Sequence, residues 1–285
     1  MMRLFFILLI NFCFLFLSCT KEANVKLPET KPLPVMYSYI CPSDTVIRLK
    51  LMSSSPLFSS NQINVLAAVS DGDVKISSAQ GTAQLVFNQN TQYYEIQTNT
   101  YPIVPGQVYR MTVTTINGDV ATAETQVPLT AIPINAVTVE TIPENYQTSD
   151  RIKAFFTDEA NSVNYYRIAV SHCFVYNSQT DTIVNDTQIN ELYSDQNHNG
   201  ESGSLAGKFY QRIDSTAYYS TEYYDVFLYN CSESYYNFYK SLRNYSGTGI
   251  SFPPPAEPTL IYSNVKGGFG CFGAYTRSML RYKKK

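Results

Sequence analysis

The chain contains no tryptophan and only two histidines, and charged residues occupy only 15% of its 285 positions. Its 21 Lys and Arg residues against 23 Asp and Glu residues give a formal net charge of −2. A nucleic-acid-binding protein needs a basic surface to neutralise phosphates, so this charge balance argues against that class. Two histidines leave little material for His-rich metal sites or histidine general bases. The hydrophobic content of 44% is nevertheless sufficient for a folded core.

Recognisable catalytic motifs are absent from the sequence. It contains no G-x-S-x-G elbow, H-E-x-x-H helix or P-loop. Gly268–Gly273 matches G-x-G-x-x-G by letter but lacks the strand–helix context of a phosphate-binding turn, and it indicates a tight, closely packed turn. His172 and Cys173 are adjacent in a predicted strand, where neighbouring side chains face opposite ways, so they do not form a catalytic dyad. We therefore expect no enzyme and assign no catalytic residue. A glycan-acting hydrolase with paired carboxylates stays an alternative, because such pairs leave no local signature.

The N-terminus has the pattern of an export signal. Arg3 precedes a 14-residue apolar run, Leu4 to Leu17, which is broken only by Asn11 and is shorter than the roughly 20 residues of a membrane-spanning helix. The run ends in Leu-Ser-Cys at positions 17–19, which resembles a bacterial lipobox. Residues 1–18 are thus predicted to be a lipoprotein signal peptide, with Cys19 as the acylated residue. The alternative is an ordinary secretory signal that happens to contain this cysteine.

Residues 19–34 are polar and contain several prolines, as expected of a lipidated tether. Lys21-Glu22 resembles the signals that direct some Bacteroidota lipoproteins to the cell surface. We therefore expect a lipid-anchored protein of the outer membrane, at the cell surface rather than on the periplasmic face.

Four cysteines follow the lipidation site: Cys41, Cys173, Cys231 and Cys271. An even number of cysteines in an exported protein permits disulfides. We expect one bridge among Cys173, Cys231 and Cys271, with the pairing open; buried free thiols are the alternative. No C-x-x-C spacing indicates a metal cluster, and no cofactor is expected apart from calcium.

The first half of the mature chain has the pattern of an antiparallel β domain. Val46–Met52 alternates between apolar and other side chains, and Val108–Ile116 and Val120–Val127 flank Asn117-Gly118, the preferred pair for a tight hairpin. Short strands separated by Gly, Pro and Asn predict an Ig-like or transthyretin-like β-sandwich over residues 35–128.

Residues 129–285 are predicted to form a second β-rich domain with one short helix. Apolar residues spaced i, i+3, i+4 and i+7 place the helix at Ser234–Arg243, with Ser232 or Ser234 as its cap. Lys283–Lys285 has the composition of a solvated tail. The strands expected in this domain are Val137–Thr141, Ile152–Phe156, Tyr165–Tyr176, Phe209–Ile213, Asp225–Asn230 and a last strand, Thr276–Arg281, which follows the glycine-rich Gly267–Tyr275.

A calcium-like pattern occurs once in the sequence. Asp195, Asn197 and Asn199 alternate before Gly200, as in the first half of a calcium-binding loop. Ala206 occupies the position of the bidentate glutamate, so a carboxylate from elsewhere would have to replace it. The alternative is a polar surface turn, since Asp, Asn and Gly are also the usual turn residues.

Tyrosine is abundant, with 24 residues, and often occurs in adjacent pairs. Ser and Thr surround Tyr218, Tyr219, Tyr223 and Tyr224, which makes these four the candidate platform for a small molecule, peptide or glycan. The alternative is that these side chains pack in the core, as tyrosines in strands commonly do.

Several features in order carry a family resemblance: the lipobox, GQVYRMTV–NG–VATAETQVP, the loop near 195–200, SYYNFYKSL, PPPAEP and GFGCFGAY. Together they resemble the Bacteroidota outer-membrane lipoproteins catalogued as domain of unknown function 4249. The resemblance implies an accessory subunit for nutrient uptake with a TonB-dependent transporter as partner, and it implies no catalytic residues. An adhesin or envelope-assembly lipoprotein stays the structural alternative.

Overall fold

The computed structural model describes residues 31–55, 68–143, 148–160, 162–176, 182–185, 191–196, 199–210, 219–246 and 260–284. This part of the chain forms fifteen strands and one helix. The prediction of a mainly β, sandwich-like fold with one short helix is confirmed. The signal peptide, Cys19 and most of the tether lie outside the described residues.

The helix α1 spans Glu233–Ser246. The strands, in chain order, are β1 Pro34–Ile40, β2 Val46–Ser53, β3 Asp73–Ser78, β4 Gly81–Asn88, β5 Tyr93–Gln97, β6 Val108–Thr114, β7 Val120–Gln126, β8 Ile134–Pro143, β9 Thr148–Thr157, β10 Tyr165–Tyr176, β11 Thr182–Asn185, β12 Glu191–Ser194, β13 Ser202–Tyr210, β14 Tyr219–Cys231 and β15 Phe269–Lys283.

The N-terminal strands pair in the order β1-β2-β5-β4-β3-β6-β7, with every neighbour antiparallel. Alternation along each strand sends one set of side chains inward, including Leu49, Leu51 and Met111, to form the first apolar core. Gly118 has a φ of 80° in the predicted β6–β7 hairpin, which a residue with a Cβ adopts only with strain.

The strands of the second half form two groups. One continues the large sheet in the order β11-β10-β14-β15 with β12 on β10, and the other is the three-stranded sheet β13-β9-β8. Ile152, Phe156 and Val226 belong to the core that these strands share. Of the strand expected at Phe209–Ile213, the first two residues form the end of β13, which begins at Ser202, and residues 211–213 lie outside the described residues. The sequence pattern did not indicate the earlier part of β13, because Gly203 and Gly207 lie on its buried face and give no hydrophobic signal.

The last strand connects both halves of the large sheet. Residues Phe269–Ala274 of β15 pair in parallel with β1, and Tyr275–Lys283 pair antiparallel with β14. The sequence pattern placed the start of this strand at Thr276, because Gly270 and Gly273 are unfavourable in strands. These glycines are needed where other backbone approaches: a Cβ on Gly270 would lie 1.9 Å from the Met36 carbonyl oxygen.

Helix α1 confirms the amphipathic pattern and extends beyond the predicted Arg243. The Ser232 side chain caps it, because its Oγ accepts a hydrogen bond from the Tyr235 amide at 3.3 Å. The buried face packs on β1, with the rings of Tyr39 and Tyr235 5.2 Å apart. In the described part of the chain, no helix has the length and apolar character needed to span a bilayer.

Candidate functional site

A cleft of about 880 Å³ opens beside the end of β7 and the residues that follow it. Three segments from the second half of the chain form its remaining walls. Residues 124–129 form one wall, and the others are formed by residues 230–234, by Glu159 with residues 162–165, and by Tyr262 with Asn264. The start of helix α1 therefore faces the cleft. Its volume lies in the range of small-molecule sites.

Amide and hydroxyl side chains hold the walls of this cleft together. Asn264 donates from Nδ2 to the Glu124 carbonyl at 3.0 Å and to the Phe272 carbonyl at 2.8 Å. Its Oδ1 also accepts from the Phe272 amide at 3.0 Å. Asn230 donates to the Thr130 carbonyl at 3.0 Å. The cleft is thus fixed by contacts between segments far apart in sequence, which no local pattern predicts.

The charge of the cleft has one sign. Among the described residues, the cleft is lined by Glu124, Glu159 and Glu233 and by no Lys, Arg or His. Arg110 forms an ion pair with Glu124 from the neighbouring strand, so part of this charge is neutralised. Glu233 sits in the first turn of α1, where the helix dipole favours a carboxylate.

Tyrosines complete the lining. The ring of Tyr165 lies 4.7 Å from that of Tyr236, and burial, followed by the nearby Glu233 carboxylate, raises the pKa of Tyr165. Burial also raises the pKa of Tyr262. Both phenols therefore stay protonated at neutral pH and present a hydroxyl and a ring. Such a lining suits neutral or cationic ligands and disfavours phosphates.

Directly behind the cleft wall, two buried carboxyls face one another. Asp158 accepts hydrogen bonds from the Tyr166 hydroxyl, from Asn164 Nδ2 at 3.3 Å and from the Gly200 amide at 2.7 Å. Asp195 accepts from the Asn164 amide at 2.7 Å. Burial and the neighbouring Asp158 carboxylate raise the pKa of Asp195.

The three residues of the predicted calcium loop differ in where the structure places them. Asp195 is buried, and Asn199 donates from Nδ2 to the Ser162 carbonyl at 2.7 Å, whereas Asn197 lies outside the described residues. Within the described ranges, no group of three or more His, Cys, Asp and Glu side chains could hold a metal. The three-residue calcium loop stays a prediction.

Two of the four tyrosines in the expected platform have side chains among the described residues, and one of these two lies in the core. Tyr224 is fully buried, and its hydroxyl donates to the buried carboxylate of Asp150. Tyr223 is half-buried beneath the Arg281 guanidinium, 5.4 Å from the ring centroid. Tyr218 and the side chain of Tyr219 lie outside the described residues. Alternation along β14 turns Tyr224 inward, so it belongs to the core and not to a binding surface.

Sequence analysis missed a buried ionic network near the N-terminal end of β14, away from Asn230 and Cys231, which line the cleft. Lys284 Nζ lies 2.8 Å from an oxygen of the buried Asp150 and 3.4 Å from one of Glu222. His172 Nε2 contacts the same Glu222, and its ring stacks on Tyr224 at 4.7 Å. Lys284 is therefore not part of a solvated tail. The five groups join strands whose contact no sequence signal indicates.

The disulfide expected among the three C-terminal cysteines is absent: all four described cysteines are free and buried. Each of the three faces a tyrosine across a strand pair and not another cysteine: Cys173 with Tyr223, Cys231 with Tyr275 and Cys271 with Tyr37. Burial raises the pKa of Cys271 to about 12, so this thiol stays protonated and unreactive. The alternative of buried free thiols applies.

A structure of mutant Salmonella alpha-2-macroglobulin is similar to this chain with a TM-score of 0.24 and 10% sequence identity. The similarity covers 93% of this chain and 15% of that chain, and a likeness this weak carries no argument. No curated protein matches the chain.

One protein family matches this chain in sequence over nearly its whole length. The family is described as "Domain of unknown function (DUF4249)", and the match covers residues 20–281, from the residue after Cys19 into β15. The matched range contains the cleft, the paired carboxyls and the glycine-rich start of β15. The chain therefore belongs to the DUF4249 family.

Proposed function

We propose that this protein is a lipid-anchored binding subunit of the outer membrane that captures a small ligand in its cleft and works beside a TonB-dependent transporter. The observation that carries the binding role is the cleft itself, with a volume of about 880 Å³ and a lining of hydroxyl, amide, phenol and carboxylate groups. The lipobox ending at Cys19 supports the anchor. The transporter partner rests on the family resemblance.

The chemistry of the cleft supports a ligand that is neutral and rich in hydroxyl groups, or cationic. Glu159, Asn164 and Tyr262 offer acceptors and donors suited to sugar hydroxyls or to amines. The lining residues that the structure describes include no basic side chain, which disfavours phosphorylated ligands. Neutral oligosaccharides are the first class to test.

The anchor is tested by replacing Cys19 with serine. Cys19→Ser removes the acylated thiol, so the protein should leave the membrane fraction and lose incorporation of radiolabelled fatty acid. Cys13→Ser is the matched control, because this cysteine lies within the predicted signal and should not alter anchoring. Membrane retention of the Cys19→Ser protein would contradict lipid attachment.

The partner is tested by purifying the intact lipoprotein from its native membrane in mild detergent and identifying bound proteins by mass spectrometry. Recovery of a TonB-dependent transporter in equal amount supports the uptake role. Recovery of the same chain or of other envelope proteins, without a transporter, would instead favour the adhesin or assembly alternative.

The ligand is tested by calorimetry with neutral, amine-bearing and phosphorylated sugars. We expect binding of the first two classes only, and Glu159→Lys should weaken binding of amine-bearing ligands most. Glu140→Gln, an exposed change on β8, serves as the control. Release of reducing ends during the same incubation would indicate a glycan hydrolase.

A further inference from the structure

The outer edge of β7 leads into the cleft. β7 is the last strand in the order of the large sheet, and its one strand partner among the described residues is β6. In an antiparallel pair, alternate residues direct their amide and carbonyl groups towards the partner strand. The Val127 amide donates to the Gln107 carbonyl at 3.0 Å, on the β6 side. The backbone groups of Thr122, Glu124 and Gln126 therefore point away from β6, towards the edge.

Residues 264–266 of the chain cover the first part of this edge. Thr122 exchanges two backbone hydrogen bonds with Lys266, at 2.9 and 2.8 Å. The Glu124 carbonyl accepts a hydrogen bond from Asn264 Nδ2 at 3.0 Å. Gln126 comes next and lines the cleft, and no described residue bonds to its backbone amide or carbonyl. The edge is thus covered as far as the cleft and open within it.

The side chains of the cleft add apolar surface and negative charge around this open edge. Leu129 and Val163, which are 71% and 51% exposed, lie on its walls. Glu124 forms an ion pair with a neighbouring arginine, whereas Glu159 and Glu233 meet no basic side chain among the described lining residues. Such a surface attracts a ligand that carries both apolar and basic groups.

We propose that the cleft binds a short, extended peptide containing lysine or arginine, which adds a strand to β7 at Gln126. One residue of the peptide donates to the Gln126 carbonyl and accepts from the Gln126 amide, as Lys266 does with Thr122. The basic side chain is attracted by the cleft carboxylates. This inference rests on the proposed binding role of the cleft and names the class of its cationic ligand.

The edge itself favours a peptide over an amine-bearing sugar. An open strand edge presents a donor and an acceptor from the same residue, in the arrangement that a neighbouring strand matches. Sugar hydroxyls can bond to either group singly, but a peptide carries the matching pair in its own backbone. Main-chain pairing then gives affinity, and the cleft side chains give specificity.

The first test is fluorescence anisotropy of a labelled tetrapeptide, with one lysine among β-branched residues, titrated with the full lipoprotein in detergent. Two analogues are compared with it: one is N-methylated at each backbone amide, and the other has glutamate in place of lysine. Each analogue should bind at least about tenfold more weakly, because the first loses its backbone donors and the second is repelled by the carboxylates.

The second test changes the strand edge in the protein. Gln126→Pro removes the amide that faces the cleft and no hydrogen bond of the β6–β7 ladder. Gln126→Ala is the matched control, because it loses the same side chain and keeps the amide. The proline variant should bind the lysine peptide about tenfold more weakly than the alanine variant.

Equal binding of the peptide and its N-methylated analogue would overturn strand addition, as would equal binding by the proline and alanine variants. Self-association of the protein that competes with the peptide would overturn it too, since the edge would then be an interface between copies. If sugars bind in calorimetry and no peptide does, this inference fails while the binding role of the cleft stands; if neither binds, both fail. Should Gln126→Pro not fold, the comparison of the two peptides on the unmodified chain decides.

Discussion

At the scale of single residues, Lys284 forms ion pairs with two carboxylates. Its ammonium lies between the buried Asp150 and the partly exposed Glu222. Asp150 also accepts hydrogen bonds from Thr141, at 2.7 Å, and from Tyr224. A carboxylate that is fully buried keeps its charge only while these partners remain.

Lys284→Gln is expected to lower the free energy of unfolding by about 2 kcal/mol, because it leaves two carboxylates without their shared cation. Lys283→Gln is the control: this neighbouring side chain is exposed and should change stability by less than about 0.5 kcal/mol. Urea unfolding of the three proteins measures the difference. Equal stability of both variants would show that the ion pairs contribute nothing.

The pH dependence of stability follows from the same carboxyls. Burial alone would raise the pKa of Asp150 and Glu222, yet Lys284 with Tyr224 and Thr141 holds the first below its usual range, and His172 with Lys284 holds the second there. Arg281 lowers the pKa of Asp225.

A lowered pKa means that the folded state favours the carboxylate. The associated stability is therefore present above the unfolded pKa values, near about 4, and is lost as the pH falls through the folded ones. We expect urea unfolding to show little change above about pH 5 and a steep loss of stability below about pH 4. Arg281→Gln should reduce this slope, and an unchanged slope would contradict the role of Asp225.

At the scale of elements, strand β15 is placed by its glycines. A Cβ on Gly270 would lie 1.9 Å from the Met36 carbonyl oxygen, and one on Gly273 would lie 2.9 Å from the Tyr235 Cβ. The parallel pairing with β1 and the packing of α1 thus need the absence of side chains at these points. These close approaches explain the glycines of the GFGCFGAY stretch, which carries part of the family resemblance.

Gly270→Ala is expected to lower the free energy of unfolding by more than about 4 kcal/mol, since the backbone of β1 or β15 must move. Gly81→Ala is a matched control, because Gly81 has a similar φ, 113° against 116°, but open space around its Cβ position. The control should lose only about 1–2 kcal/mol from backbone strain. Thermal and urea unfolding compare the two, and similar losses would contradict the close approach.

At the scale of the whole molecule, β15 connects two apolar cores. Phe272 and Ala274 lie in the first core with Met36 and Leu49, while the following residues pair with β14, whose Val226 lies in the second core. Unfolding of either core therefore removes residues that pack against or pair with β15.

We expect calorimetry to show one unfolding transition, with equal calorimetric and van't Hoff enthalpies, because the two cores share β15. Gly270→Ala should separate the melting of the two halves, while Gly81→Ala should leave one transition. Two transitions in the wild-type protein would mean that residues 35–128 and 129–285 unfold independently.

Local chemistry determined much of this protein in its sequence. Apolar spacing located helix α1, the Asn117-Gly118 pair located the β6–β7 turn, and unbroken β propensity located β10 at its observed bounds. Each of these signals lies within a few residues of the element it specifies. Strand β13, whose buried face is partly glycine, carries little of this signal, and the sequence pattern indicated only its last two described residues.

The tertiary structure alone decided which distant groups meet. The pairing of β1 with β15 places Val35 beside Phe269. In the same way, Lys284 forms an ion pair with Asp150, and Asp195 lies against Asp158. These contacts arise because strand order and burial in two shared cores position the backbone, and neither has a local pattern. The sequence therefore determined a mainly β protein with one short helix, whereas its cleft, its ionic network and its paired carboxyls exist only in the folded chain.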